Sequence, residues 1–256
     1  LHDALTQGTA LRKARPDSMT QAPAADFTPV VATADVSSLI PEEGVALTTA
    51  LQSGGVFKRF ASAAVPTGAY AHHNAATTAH PFWARAFDAD RHMVRDMLEI
   101  GAFEARTTSF AARLFPNARI VCVDPWTDYA EMSELSRAEA SFRQNIAEFG
   151  DRVRPIKGFS HAILPRLLDE GERFDVIFID GSHAYADVVI DSLFSWKLLR
   201  PGGVLIWDDY LWRRADYGRL VPKLAIDQFL SAWRGGYTPL WAFKQVAIRK
   251  VNDLGA

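Results

Sequence analysis

Residues 174–183 (FDVIFIDGSH) and 202–210 (GGVLIWDDY) each run apolar and then end in acids. An unbroken apolar stretch such as VIFI at 176–179 marks a strand buried on both faces, as a parallel sheet requires. In an open parallel sheet, ligands collect beyond the carboxyl ends of the strands. Asp180, His183, Asp208 and Asp209 are therefore expected to face one crevice. Three carboxylates and an imidazole in that position suit a hard metal ion with a base beside it. Capping of the turn that follows Asp208 and Asp209 is the alternative.

The rest of the chain agrees with a parallel sheet. From about residue 93, apolar runs over 97–101, 119–124, 153–157, 174–180 and 203–208 alternate with helical patterns over 105–115, 134–149, 161–169 and 185–199. Such alternation predicts an α/β fold with helices on both faces of the sheet. A further helix over 221–233 leads to two strands, over 238–243 and 245–250. Their very short connection requires an antiparallel pair. The expectation is a Rossmann-like seven-stranded sheet, five parallel strands closed by an antiparallel C-terminal hairpin. A dinucleotide-binding domain usually stays parallel at that edge, which weighs against a nicotinamide-dependent oxidoreductase.

Ahead of this pattern, residues 1–36 are rich in Ala, Thr, Pro and Gln without periodicity and are expected to be a disordered tail or linker. Residues 37–92 read as a helical and loop extension, supplying a lid or a dimer contact, which leaves a homo-oligomer open. Within it, 41–51 predicts a short helix, and 61–80 a loop or loose helical cap. The catalytic domain is expected over 93–256. His72, His73, His80 and His92 precede that domain, and a His-His pair in an Ala/Thr-rich stretch is more often solvated than a ligand. The formal net charge of -2 argues against non-specific nucleic-acid binding, which needs a basic surface. Cys122 is the single cysteine, so no disulfide framework forms within one chain and a reducing, cytoplasmic location is expected. No apolar run is long enough to span a membrane.

Two more motifs sit at strand ends. Residues 98–108 (LEIGAFEARTT) read as a strand, a turn containing Gly101 and a helix start, which together let a ligand approach free backbone N–H groups. Residues 121–126 (VCVDPW) place Asp124 at the end of the second strand, where a carboxylate can hold both hydroxyls of a ribose. A turn-capping aspartate before Pro125 is the alternative. Trp126 suits either a place beside an adenine or a place in the core.

Taken together, Glu99-Ile-Gly101 with Glu104, Asp124-Pro-Trp126, Gly158-Phe-Ser-His161 with Leu164-Pro165, Asp180-Gly-Ser-His183, Pro201-Gly-Gly203 and Asp208-Asp209 resemble a class I S-adenosylmethionine-dependent methyltransferase over about residues 93–251. The branch they look like is that of the metal-dependent small-molecule O-methyltransferases related to macrocin O-methyltransferase and catechol O-methyltransferase. The resemblance implies that Gly101 lies against the methionine part of the cofactor, with Glu99 and Glu104 near its ammonium or ribose. It implies that Asp124 holds the ribose and that Ser160 and His161 adjoin the adenine; Asp180 and Trp126 are counted with them as candidate cofactor-binding residues. Asp180, Asp208 and Asp209 match the ligands of Mg²⁺ (or Mn²⁺, behind it on ligand hardness). His183 matches the general base. Ala105 departs from the glycine pattern. The implied partner is a small-molecule hydroxyl acceptor, a sugar or an aromatic, against which Tyr210 and Trp212 could stack and with which Arg213, Arg214 and Arg219 could pair. A cofactor-binding protein without catalysis is the remaining alternative.

Overall fold

The computed structural model describes residues 79–128, 135–212 and 221–251. The expectations for 1–36, for 37–78 including the 41–51 helix and His72 and His73, and for Arg213, Arg214 and Arg219 lie outside these residues.

The sheet is built from β1 (Asp96–Ile100), β2 (Arg119–Asp124), β3 (Val153–Lys157), β4 (Phe174–Ile179), β5 (Leu199–Trp207), β6 (Tyr237–Ala242) and β7 (Val246–Lys250). Its order is β3-β2-β1-β4-β5-β7-β6. Strands β1 to β5 pair in parallel, and β7 runs antiparallel to both β5 and β6. This is the seven-stranded arrangement that the sequence pattern predicts. The fifth strand begins at Leu199, earlier than expected, because the backbone passes through Pro201-Gly202-Gly203 without leaving the sheet. A Cβ on Gly203 would stand 2.9 Å from the carbonyl oxygens of both Arg200 and Asp175, where the β4–β5 register shifts. Only glycine admits that approach.

Helices α1 (His80–Ala86), α2 (Arg106–Leu114), α3 (Leu135–Ile146), α4 (Ser160–Asp169), α5 (Tyr185–Leu198) and α6 (Pro222–Ala232) flank the strands. Successive strand side chains point to opposite faces. Met97, Ile120, Cys122, Phe178 and Ile206 therefore join one core cluster with side chains of α1, α2 and α3. Leu98, Val121, Ile177, Leu205 and Ile248 join the other with side chains of α4, α5 and α6.

Helix α1 lies in the segment expected to be an extension, yet its buried face belongs to the first of these cores. Trp83 is fully buried and meets Phe178 edge-on at 5.1 Å between ring centroids, with Phe110 and Phe115 also against it. His80 is buried too, stacked 3.8 Å over the Phe110 ring. It packs as an aromatic plate, and residues 79–87 share the hydrophobic core of the sheet. Among the described residues no helix is long and apolar enough to cross a membrane.

Candidate active site

A ladder of backbone hydrogen bonds aligns the carboxyl ends of five strands. Gly158 N–H donates to Asp124 O, Gly101 N–H to Val123 O, Asp180 N–H to Ile100 O and Asp208 N–H to Ile179 O, all at 2.8–2.9 Å. The residues just past β1, β4 and β5, with Asp124 at the end of β2, are thereby fixed along one rim of the sheet. Gly101 has φ +84°, and a Cβ there would fall 2.0 Å from the Asp180 carbonyl oxygen. The glycine is needed to bring two strand ends together, whatever ligand lies above it.

The turn from β1 into α2 is held in an uncommon conformation. Phe103 (φ 44°) and Ala105 (φ 65°) are both left-handed, at a cost of about 1–2 kcal/mol each for a residue with a Cβ. Asp124 offsets this cost. Its Oδ2 accepts N–H bonds from Ala102 (3.0 Å) and Phe103 (2.9 Å), and its Oδ1 accepts one from Trp126 (2.8 Å). Burial pushes the Asp124 carboxyl up, and these three N–H groups oppose that shift. The departure from glycine at Ala105 is thus accommodated by an acid on the next strand. Trp126, left open between adenine contact and core, is in the core. Its ring centroid is 4.6 Å from that of Phe142, and its indole N–H donates to Phe103 O at 2.9 Å. The Glu104 carbonyl accepts from Asn145 at 2.9 Å, so the turn is anchored on α3 as well.

Glu99 does not reach the rim. Strand alternation turns it beneath α2, where it accepts the Thr108 hydroxyl and lies 3.6 Å from Cys122 Sγ. Burial raises its carboxyl to about 8, so at neutral pH it is chiefly a neutral acid bracing α2. Glu99, expected near a cofactor ammonium or ribose, is engaged with Thr108 and Cys122.

At the ends of β4 and β5, Asp180, Asp208 and Asp209 lie close enough to act on one another's charge. Burial, and then the charges of Asp208 and Asp209, hold the Asp180 carboxyl well above the usual carboxylate range. Asp208 is pushed up to about 7, by burial first and then by Asp209. Its Oδ1 accepts the Asp209 N–H at 2.9 Å, and the Gln245 side chain beside it opposes the upward shift. Asp209 is left-handed (φ 56°), which swings its side chain out to His183. His183 Nε2 lies 2.8 Å from Asp209 Oδ2, and the imidazole stacks on Trp212 with ring centroids 4.4 Å apart. Among the described residues no three His, Cys, Asp or Glu side chains stand at metal-ligating spacing.

Ser160 opens α4 just past β3, and its side chain opposes the rise that burial imposes on the Asp191 carboxyl. Exposed His161 stacks on Phe159, itself 46% exposed, with ring centroids 5.6 Å apart. Tyr210 is not a wall for an acceptor. It is 4% exposed, its hydroxyl is bonded to Asp227 (2.8 Å) and to Lys223 (2.6 Å), and Lys223 covers its ring.

The motif reading missed two residues. Asp191 is 1% exposed and is raised to about 7 by burial. The available signal was an acid on the buried face of α5 beside Val188, Ser192 and Ser195. Gln245 carries no local signal, because only the strand order brings it to Asp208.

Residues 98–210 match the sequence profile of a family described as "Methyltransferase domain". The chain is 30% identical over 150 residues to an uncharacterized protein, R132, of Acanthamoeba polyphaga mimivirus, covering 56% of this chain and 62% of that protein. It is 30% identical over 125 residues to the O-methyltransferase hkm8 of Aspergillus hancockii, covering 48% of this chain and 46% of that enzyme. The matches thus span about half to under two thirds of these relatives. Among solved structures, an O-methyltransferase from Bacillus cereus in complex with S-adenosylhomocysteine aligns with a TM-score of 0.56 at 20% identity, over 83% of this chain and 100% of that one. The MycE methyltransferase of the mycinamycin biosynthetic pathway, in complex with Mg and S-adenosylhomocysteine, aligns with a TM-score of 0.52 at 19% identity, over 82% of this chain and 56% of that one. The likeness to the two structures is one of fold. The chain thus has the fold of these O-methyltransferase structures, and its residues 98–210 are similar to a methyltransferase domain.

Proposed function

We propose that the chain transfers the methyl group of S-adenosylmethionine to a hydroxyl of a small molecule, a sugar or an aromatic, with a divalent cation held by Asp180, Asp208 and Asp209. The observation that carries this reading is the meeting of those acids and His183 on the same rim as Gly101 and Asp124. The donors are carboxylates, the chemistry a hard cation takes, although among the described residues they do not stand at metal-ligating spacing. The charges of Asp208 and Asp209 raise Asp180, that of Asp209 raises Asp208, and a cation would relieve this repulsion. In support, MycE is a methyltransferase of the same fold seen with Mg. When bound, Mg²⁺ supplies positive charge that stabilises an acceptor oxyanion.

The chain's own residues supply the rest. Asp124 holds the β1–α2 turn and offers its remaining lone pair to the ribose. Ser160 and His161 border the adenine. With Nε2–H donated to Asp209, His183 presents Nδ1 as the basic nitrogen that removes the acceptor's hydroxyl proton. Asp209 keeps its other oxygen for the cation. Once the oxyanion forms, the task of the site is to align oxygen, methyl carbon and sulfur, an orientation effect.

A methyl-transfer assay with isotopically labelled S-adenosylmethionine and a panel of phenolic, catecholic and glycosidic hydroxyls tests this reading. Transfer to at least one hydroxyl class, lost in chelator and restored by Mg²⁺, is expected. Full transfer by metal-free enzyme in chelator removes the cation from the reaction, and transfer only to amines or thiols removes the hydroxyl.

A further inference from the structure

A recess beside the end of β5 takes no part in the chemistry above. The start of helix α1 and the β6–β7 turn line it with Ala79, Phe82, Trp241, Phe243, Lys244 and Gln245. The sheet register sets its position. Trp207 at the end of β5 and Ala242 at the end of β6 both pair with Val246 at the start of β7. Residues 243–245 therefore turn at the level of Asp208, on the rim. Tyr210 N–H donates to Lys244 O (2.9 Å) and Phe243 N–H to Gln245 O (2.8 Å), which ties the turn to the loop after β5. In the strand order β7 lies two places from β4, on the side away from β2 and Asp124. Strands spaced about 4.7–4.9 Å apart put the recess about 10 Å from the end of β4 and the loop that carries His183.

The walls are aromatic and held in place. The Phe82 ring lies 6.1 Å from Trp241 and 6.4 Å from Phe243 between centroids. Phe82 and Phe243 are buried, and the Gln245 amide oxygen accepts the Trp83 indole N–H at 2.8 Å. One polar atom of the lining is unsatisfied. The Trp241 indole nitrogen is shut off from solvent and has no hydrogen-bond partner. An indole N–H can only donate, and a buried donor without an acceptor is costly, so the recess favours a ligand that brings one. Half-buried Lys244 adds a positive charge to the same lining. Aromatic walls, a donor without an acceptor and a cation together complement an aromatic ring that carries an anionic oxygen. A neutral sugar matches the indole N–H but leaves the Lys244 charge unanswered.

We propose that this recess binds an aryl carboxylate, and that the methyl acceptor is an aromatic acid whose hydroxyl lies about 10 Å from its carboxylate. The carboxylate accepts the Trp241 N–H and pairs with Lys244, while the ring lies against the aromatic wall. The binding site stands on the recess alone, and the identity of the acceptor rests on the methyl-transfer reading above.

The test is calorimetric titration of a hydroxynaphthoate, its hydroxyl and carboxylate at opposite ends, into the full chain in the presence of S-adenosylhomocysteine. Naphthol lacks the acid, and the fully saturated ring acid lacks the aromatic face. Saturable binding of the hydroxynaphthoate, about fivefold or more tighter than of either comparison compound, is expected. Trp241→Phe keeps an aromatic wall and removes the N–H, and Lys244→Met keeps the chain length and removes the charge. Binding should weaken by about tenfold or more in Trp241→Phe, which loses a hydrogen bond to a charged group, and by about threefold or more in Lys244→Met, which loses an ion pair. S-adenosylhomocysteine affinity should stay within about twofold in both, because the two sites are well separated. A role confined to packing lowers the melting temperature and leaves the hydroxynaphthoate constant unmoved. No binding by the wild type, or wild-type affinity in either folded variant, overturns the recess as a binding site. Tight binding without transfer of labelled methyl to the hydroxynaphthoate overturns the acceptor assignment. Failure of S-adenosylhomocysteine itself to bind overturns the methyl-donor reading, and the recess is then decided by the hydroxynaphthoate titration alone.

Discussion

His183 Nε2 stands 2.8 Å from Asp209 Oδ2, and the imidazole is stacked on Trp212. The ring is therefore fixed in plane and in direction, with its second nitrogen left for the acceptor. His183→Ala is expected to lower kcat by about 10²–10⁴, the range for losing a positioned base, with S-adenosylhomocysteine affinity unchanged. Asp209→Asn should lower kcat in the same direction. Steady-state kinetics on an accepted hydroxyl substrate check this, and near-wild-type kcat in His183→Ala would leave the imidazole a structural group.

Asp124 is expected to act on both folding and binding. Replacing it with alanine strands the N–H groups of Ala102, Phe103 and Trp126. The cost should be about 2–4 kcal/mol of stability, from buried donors losing a charged acceptor. S-adenosylhomocysteine binding should weaken by about 1.5–3 kcal/mol. Urea unfolding and calorimetry on the same preparation separate the two effects. A folded Asp124→Ala protein with unchanged affinity would restrict Asp124 to the turn.

Glu99 sets a pH dependence whose sign follows from its burial. Its carboxyl moves from 4.5 up to about 8 on folding, so the folded state binds more protons between those values. The stabilisation is full below about pH 4.5 and is lost as pH rises through about 8. Asp191, raised to about 7, acts in the same direction. Urea midpoints are expected to fall between about pH 6 and about pH 9, and Glu99→Gln should flatten that fall. An equal slope in wild type and Glu99→Gln would show that Glu99 is ionised in the folded protein.

The sheet was legible because its central strands are buried on both faces, and unbroken runs such as VIFI at 176–179 have few other structures open to them. The strand-end rule placed Asp180 and Asp208 just past β4 and β5, where the structure has them. Glu99 was misplaced because its motif was read as a unit, although alternation along β1 puts residue 99 on the same face as Met97, beneath α2. Helix α1 was obscured by the Ala, Thr and His before it, and its buried face is visible only once Phe110, Phe115 and Phe178 are assembled opposite Trp83. Gln245 was unreadable for a topological reason. It reaches Asp208 because β7 enters between β5 and β6, and nothing local to 243–246 encodes that insertion.

The most direct measurement is calorimetric titration of S-adenosylhomocysteine into the full chain, repeated with NAD. A strand-end site built on Gly101 and Asp124 predicts saturable binding of one S-adenosylhomocysteine per chain, with a dissociation constant in roughly the micromolar range common for enzyme ligands, and no heat from NAD. Heat from NAD alone, or from neither ligand in folded protein, would contradict the assignment of this rim as a methyl-donor site.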